Sequence, residues 1–273
     1  MYAKKIEGAP HSSLGESPMF FNDTLYWIDI NSGTLHSMYK NTFSSVKLDE
    51  IITFIAPHND GIIYSTRNSI NFYNTEKAYK NALFKMDFQK NVRFNDGKCD
   101  HSGRLFAGTM DINEKNPIGK LYKFEKEPEN ILENVTISNG MAWSMDGSTM
   151  YYIDSPTRKI RVFNYDNING EIISEGQSID VSASPGVPDG MTIDSEDNIY
   201  VAFFGGSHVL KLNKSGKILL EIELDAENVS CCTFGGDDFR TLFITTAFNG
   251  RNGGGIYMFN NDVPGIKPDI FKF

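Results

Sequence analysis

Six segments of this 273-residue chain repeat one pattern, and that repeat limits the fold more than any single motif. Each has an aromatic or aliphatic run, a turn, and a second run ending on an aromatic or large apolar residue. They read LYWIDINSGTLHSM from Leu25, IIYSTRNSINFYN from Ile62 and LFAGTMDINEKNPIGKLYKF from Leu105. Then come MYYIDSPTRKIRVFNY from Met150, IYVAFFGGSHVLKL from Ile199 and LFITTAFNGRNGGGIYMF from Leu242. Successive starts lie 37, 43, 45, 49 and 43 residues apart. A period in the forties with several strands per unit is the pattern of a propeller blade. The expectation is an all-β, six-bladed β-propeller forming one domain over residues 1–273, with no stretch left over for a second.

Composition agrees. The chain is 12% aromatic with 24 glycines, and turn sequences such as Asn59-Asp60-Gly61 and Asp146-Gly147 punctuate short alternating runs. No stretch of ten residues has a convincing 3.6-residue period; the best helix candidate, Thr75 to Phe84, is short and mostly polar. A further short apolar run precedes most repeats: SPMFF, DGKCD, GMAWS, GMTID and SCCTF. These are expected to be the first strands of the blades, lining a central channel. Ring closure is expected where the N-terminal KKIE lies beside the C-terminal DIFKF.

The formal charge of −9 argues against a general nucleic-acid binder, which needs a basic face. No apolar run approaches the ~20 residues of a membrane span. The N-terminus has two lysines with no apolar run after them, so no secretory signal is read there. Three cysteines (Cys99, Cys231, Cys232) make no disulfide framework, and a cytoplasmic setting is expected. Cys231 and Cys232 read as small buried hydrophobes on the inner strand of the last repeat.

The repeats also place particular residues at one mouth of the channel. Glu16, Asn95, Asn139 and Asp189 lie 9, 10, 11 and 10 residues ahead of the starts of their repeats. Equivalent offsets bring them towards one axis. Two facing carboxylates would repel, and one would be forced to keep its proton. A divalent cation (Ca, Mg, Mn or Zn) resolves that conflict, and an all-oxygen set with two Asn carbonyls suits the hard ions Ca, Mg and Mn best. Taken singly, Asn-Gly and Pro-Asp-Gly are ordinary turn sequences; their matching offsets favour a site. Asp96, next to Asn95, is expected to point away along its strand. There is no G-x-S-x-G elbow and no H-E-x-x-H spacing for zinc.

These stretches resemble the senescence-marker-protein, gluconolactonase and luciferin-regenerating-enzyme family. GESPMFFNDTLYWIDINSGTLH, RFNDGKCDHSGRLFAGTM, SNGMAWSMDGSTMYYIDS, PDGMTIDSEDNIYVAFFGG and FGGDDFRTLFITTA occur in family order across nearly the whole chain. The resemblance implies a divalent metal in the channel of a six-bladed propeller and a lactonase activity on sugar lactones. It places metal ligands on Glu16, Asn139 and Asp189, substrate contacts on Arg93 and Asn95, and Asn95 near the metal as well. Asp189 matches the residue usually assigned as general base. Many members have a substrate-contacting glutamate after the Gly-Thr-Met; here Met110 is followed by Asp111-Ile112-Asn113-Glu114, and no counterpart stands out.

The expected function is thus metal-assisted hydrolysis of a small-molecule lactone, with Asp189 as base or, in a competing arrangement, only as a ligand. The alternatives are a binding propeller with a structural metal and a metal-dependent esterase or phosphotriesterase. No nucleic-acid or membrane partner is expected, and oligomeric state is left open.

Overall fold

The computed structural model describes residues 1–273 and has an all-β, propeller-like fold. Short strands pair with their sequence neighbours in antiparallel runs of four. One run holds Gly15–Phe21, Thr24–Asp29, Thr34–Tyr39 and Thr42–Lys47. The next holds Ile55–His58, Gly61–Ser65, Ser69–Asn74 and Tyr79–Lys85, and a third extends from Val92–Cys99 to Pro128–Val135. A further sheet begins at Ser138–Trp143 and has a short fifth strand, Ile179–Asp180. The remaining sheet has eight strands. It contains two four-strand runs, starting at Val187–Ile193 and Asn228–Gly235, joined through the single pairing Phe204–Asn228.

Burial falls from the first strand of each run to the last. Ser138–Trp143 is buried throughout, whereas Tyr79–Lys85 is exposed at nearly every position. The apolar clusters lie between successive runs. Met19, Ile28 and Leu35 of the first pack on Ile55, Ile62 and Tyr64 of the second. Leu25 and Trp27 of the first also pack on Phe243 and Ile256 of the last, which closes the circuit. Each run has two apolar faces, so neither is stable until a neighbour covers it.

Three local expectations are corrected. The helix candidate Thr75 to Phe84 is a turn followed by the outer strand Tyr79–Lys85, with Ala78 at φ 51°. Its mostly polar residues suit an outer edge, and the only helix is one 3₁₀ turn at Ser155–Thr157. KKIE does not meet DIFKF. Lys4 and Lys5 pair with Met258 and Tyr257 and complete the last run. The C-terminal residues instead cross the end of the channel remote from Glu16. Gly265 bridges Asp194, Phe271 N–H donates to Pro57 O at 2.9 Å, and Lys272 N–H donates to Gly103 O at 3.1 Å. Phe271 is 1% exposed among Phe54, Phe94 and Phe124; that apolar socket holds the tail where an edge pairing would leave the ring exposed.

The third correction concerns Asp96. Regular alternation would turn it away from Asn95, but the pairing slips between Phe94 and Gly97. Similar slips fall at Glu16/Met19, Ser138/Met141, Pro188/Met191 and Val229/Cys231. A bulge places an extra residue in one strand and re-aims the side chains beside it. Asp96 is consequently buried in the channel, close enough that its charge acts on Glu16 and Asp189.

Candidate active site

The bulges turn the inner strands' polar residues into one cavity of about 160 Å³. Its floor carries Glu16, Arg93, Asn95, Asn139 and Asp189, and its walls carry Leu14, Ile30, Met110, Ile137, Val187 and Phe204. The five positions singled out from sequence therefore meet in one place. Ser-Asn-Gly and Pro-Asp-Gly are not turns: both lie inside inner strands. Their glycines answer a different need. A Cβ on Gly140 would sit 2.7 Å from Asp189 O, and one on Gly190 would sit 2.2 Å from Cys231 Sγ. Both cysteines of the last inner strand are buried and unpaired.

A hydrogen-bond chain ties the floor together. Arg93 Nη1 donates to Asn95 Oδ1 at 2.8 Å and to Phe94 O at 2.8 Å. Asn95 Nδ2 donates to Asn139 Oδ1 at 3.0 Å and to Ser138 O at 2.8 Å. Asn139 Nδ2 donates to Ser155 Oγ at 2.8 Å, and Ser155 Oγ donates to Pro188 O at 2.6 Å. Every amide N–H₂ thus has a protein acceptor, and Asn139 Oδ1, which lines the cavity and accepts one bond from Asn95, keeps a second lone pair for a ligand. Asn95 Oδ1 is taken up by Arg93, so Asn95 faces the cavity mainly as a link between Arg93 and Asn139.

The carboxylates are arranged differently. Glu16 Oε2 accepts the Ser17 N–H at 2.7 Å. Asp189 is 8% exposed and accepts no hydrogen bond from the protein. Burial pushes both carboxyls up, and their mutual repulsion and that of Asp96 push the same way; Arg93 is the nearby cation opposing this. Two negative charges so placed are stable together only with more positive charge than one guanidinium gives.

The residues fit a divalent cation on that ground: two under-compensated carboxylates beside an amide oxygen whose orientation is fixed from behind. No trio of His, Cys, Asp or Glu side chains with metal-holding spacing occurs in the structure. The third oxygen of this set comes from an asparagine.

Sequence reasoning missed two polar lining residues. Ser155 follows the second strand of its run, just after Asp154, and carried no chemical signal of its own. Glu114 lines the rim from the loop after Met110, and it is the carboxylate acting most strongly on Arg93. A larger groove of about 720 Å³ between the first two runs is lined by Phe21, His58, Phe72 and exposed turn residues. It gathers no comparable set of buried charges.

Residues 14–248 match the family model described as the SMP-30/gluconolactonase/LRE-like region. The chain is 31% identical to a putative sugar lactone lactonase, YvrE, of Bacillus subtilis, over 97% of both chains. It is 31% identical to regucalcin of Danio rerio, over 88% of this chain and 85% of that one. Among solved structures, a luciferin-regenerating enzyme superposes with a TM-score of 0.92 at 28% identity, covering 99% of each chain. No helix is long and apolar enough to cross a membrane.

Proposed function

The chain belongs to the SMP-30/gluconolactonase/LRE-like family, and from that premise we propose that it is a divalent-metal-dependent hydrolase that opens lactone rings. Relatives named lactonase support a hydrolase role. The observation that carries the reading is the pairing of Asp189 and Glu16, two buried carboxylates that the protein leaves under-compensated at the floor of an open cavity. We read the architecture as a single six-bladed propeller domain, the eight-stranded sheet being two blades bridged at Phe204–Asn228. Three buried free cysteines support a reducing, cytoplasmic setting.

Glu16, Asn139 and Asp189 would hold one divalent cation, with calcium, magnesium and manganese suited to oxygen ligands. When bound, such an ion supplies Lewis-acid polarisation of the lactone carbonyl. Asp189 has no competing hydrogen bond, so its carboxylate is free to take the proton of an attacking water. Arg93 and Asn95 orient the ring through its oxygens, as a rigid pair joined at 2.8 Å. Glu114 at the rim accepts from substrate hydroxyls. The walls of Ile30, Ile137, Val187 and Phe204 enclose the ring and strengthen each polar contact by keeping bulk water away. A cavity of about 160 Å³ suits a single small ring.

The test is a pH-indicator assay on a panel of γ- and δ-lactones, with and without chelator. Turnover abolished by chelator and restored by a divalent ion supports the reading. Absence of turnover on every lactone would favour a binding module with a structural ion. Turnover confined to open-chain esters or phosphotriesters would move the substrate class.

A further inference from the structure

After Met110, at the cavity wall, the chain leaves its strand at Asp111 and does not re-enter a sheet until Gly119. Residues 112–117 are exposed, and Ile112, the one large apolar side chain among them, is 44% exposed. Burial therefore does not hold this segment in place. Asp111 does. Its carboxylate is fully buried and accepts the backbone N–H groups of Asn113 at 3.1 Å, Lys115 at 3.3 Å and Asn116 at 3.0 Å. The Asn116 side-chain amide adds a bond at 3.0 Å and that of Asn113 one at 3.3 Å. Behind it, Asp111 N–H donates to Thr136 O at 3.2 Å, which anchors the carboxylate to the next run.

Glu114 sits between these captured amides, at φ 59°. That left-handed conformation is unfavourable for a glutamate unless its surroundings impose it. Here they do: Glu114 N–H donates to Asp111 O at 2.9 Å, and both flanking residues are bonded to the same carboxylate. The result is a glutamate at the cavity rim facing Arg93. The two form no ion pair, so each keeps hydrogen-bonding capacity for a ligand between them.

We propose that Asp111 is a positioning residue for substrate recognition: its carboxylate folds residues 112–116 into the turn that holds Glu114 opposite Arg93, so preference for a hydroxyl-bearing lactone depends on Asp111. The inference rests on the lactonase reading for its kinetics but not for its geometry. Burial alone would raise the Asp111 carboxyl, but the surrounding N–H donors outweigh it and hold the group down at about 2. The turn is therefore kept across the ordinary working range of pH.

The test compares glucono-δ-lactone with δ-valerolactone, which has the same ring without hydroxyls. Asp111→Asn puts an amide N–H₂ where backbone donors converge. It should raise KM for the hydroxylated lactone by about tenfold with little change in kcat, and leave KM for δ-valerolactone unaltered. In a Glu114→Ala background the same substitution should add nothing, because the acceptor it positions is already gone. Asn116→Ala removes one donor and should act in the same direction more weakly; it gives the reading if Asp111→Asn does not fold. Equal losses on both lactones, undiminished effects in the Glu114→Ala background, or an unchanged KM would overturn the proposal. If the wild-type protein opens neither of these lactones nor any other of the panel, the lactonase reading falls. Amide hydrogen exchange then decides the turn: loss of protection at Asn113, Lys115 and Asn116 in Asp111→Asn supports it, and retained protection overturns it.

Discussion

Asn139 Nδ2 donates to Ser155 Oγ at 2.8 Å while its Oδ1 accepts from Asn95 Nδ2 at 3.0 Å, and the two bonds together fix the orientation of the amide. A rotated Asn139 would set its N–H₂ against the Asn95 N–H₂ and could not serve as an oxygen ligand. Ser155 is itself fixed by donating to Pro188 O, next to Asp189.

Ser155→Ala should therefore weaken cation affinity although Ser155 is not among the proposed ligands. Loss of a partner behind a ligand commonly costs 10–100-fold in metal affinity, and about tenfold is expected here. Titration calorimetry with calcium and manganese measures it; affinity equal to wild type would show that Asn139 is held some other way.

Asp189→Asn should cut kcat by about 10³-fold, the range for losing a positioned general base. Metal content must be measured on the same sample. Near-full activity with the ion still bound would remove Asp189 from both its assigned roles.

Glu16→Gln should lower metal content by elemental analysis before it affects folding. In the wild-type protein, a divalent ion at about 100 times its Kd should add about 2.7 kcal/mol to stability, seen as a higher Tm that chelator reverses. An unchanged Tm would mean that the two carboxylates hold no ion.

The C-terminal tail should be pH-sensitive. His101 Nδ1 lies 2.7 Å from Asp269 Oδ2, and its Nε2 lies 2.9 Å from Ser144 O. Both partners only accept, so the ring bridges them as imidazolium. The hydrogen bond to Asp269 raises the His101 pKa above its usual value, against burial, with further help from the Asp269 charge, the Ser144 carbonyl and Asp100. A histidine with a raised folded pKa adds stability that is complete below the unfolded value of about 6.5 and fades as pH climbs through the folded one. His101→Gln should thus lower Tm more at about pH 5.5 than at about pH 9. An equal loss at both would mean the contact is only packing.

The β character and the converging site residues were legible because both follow from periodicity. Alternation marked the strands, and the common offset marked Glu16, Asn95, Asn139 and Asp189. Asp96 was misread because one bulge cancels the alternation on which the reading relied, and a bulge between Phe94 and Gly97 leaves no mark in residue type. Ser155 and Glu114 were missed for another reason. They sit in connections, where neighbouring hydrogen bonds set the aim and no repeat constrains it. The tail was misplaced because a socket built from the second and third runs binds Phe271, a preference that no local pattern encodes.

The pairing of Lys4–Lys5 with Tyr257–Met258 also bears on synthesis at the ribosome. The segment carrying Glu16 emerges early, yet the strands that flank its run on one side emerge last. Until they arrive, Leu25 and Trp27 lack their cover of Phe243 and Ile256. Such long-range closure is slow compared with local pairing. A nascent chain therefore holds an open, sticky flank for most of translation, and the run carrying Glu16 is covered on that side only as the last run docks.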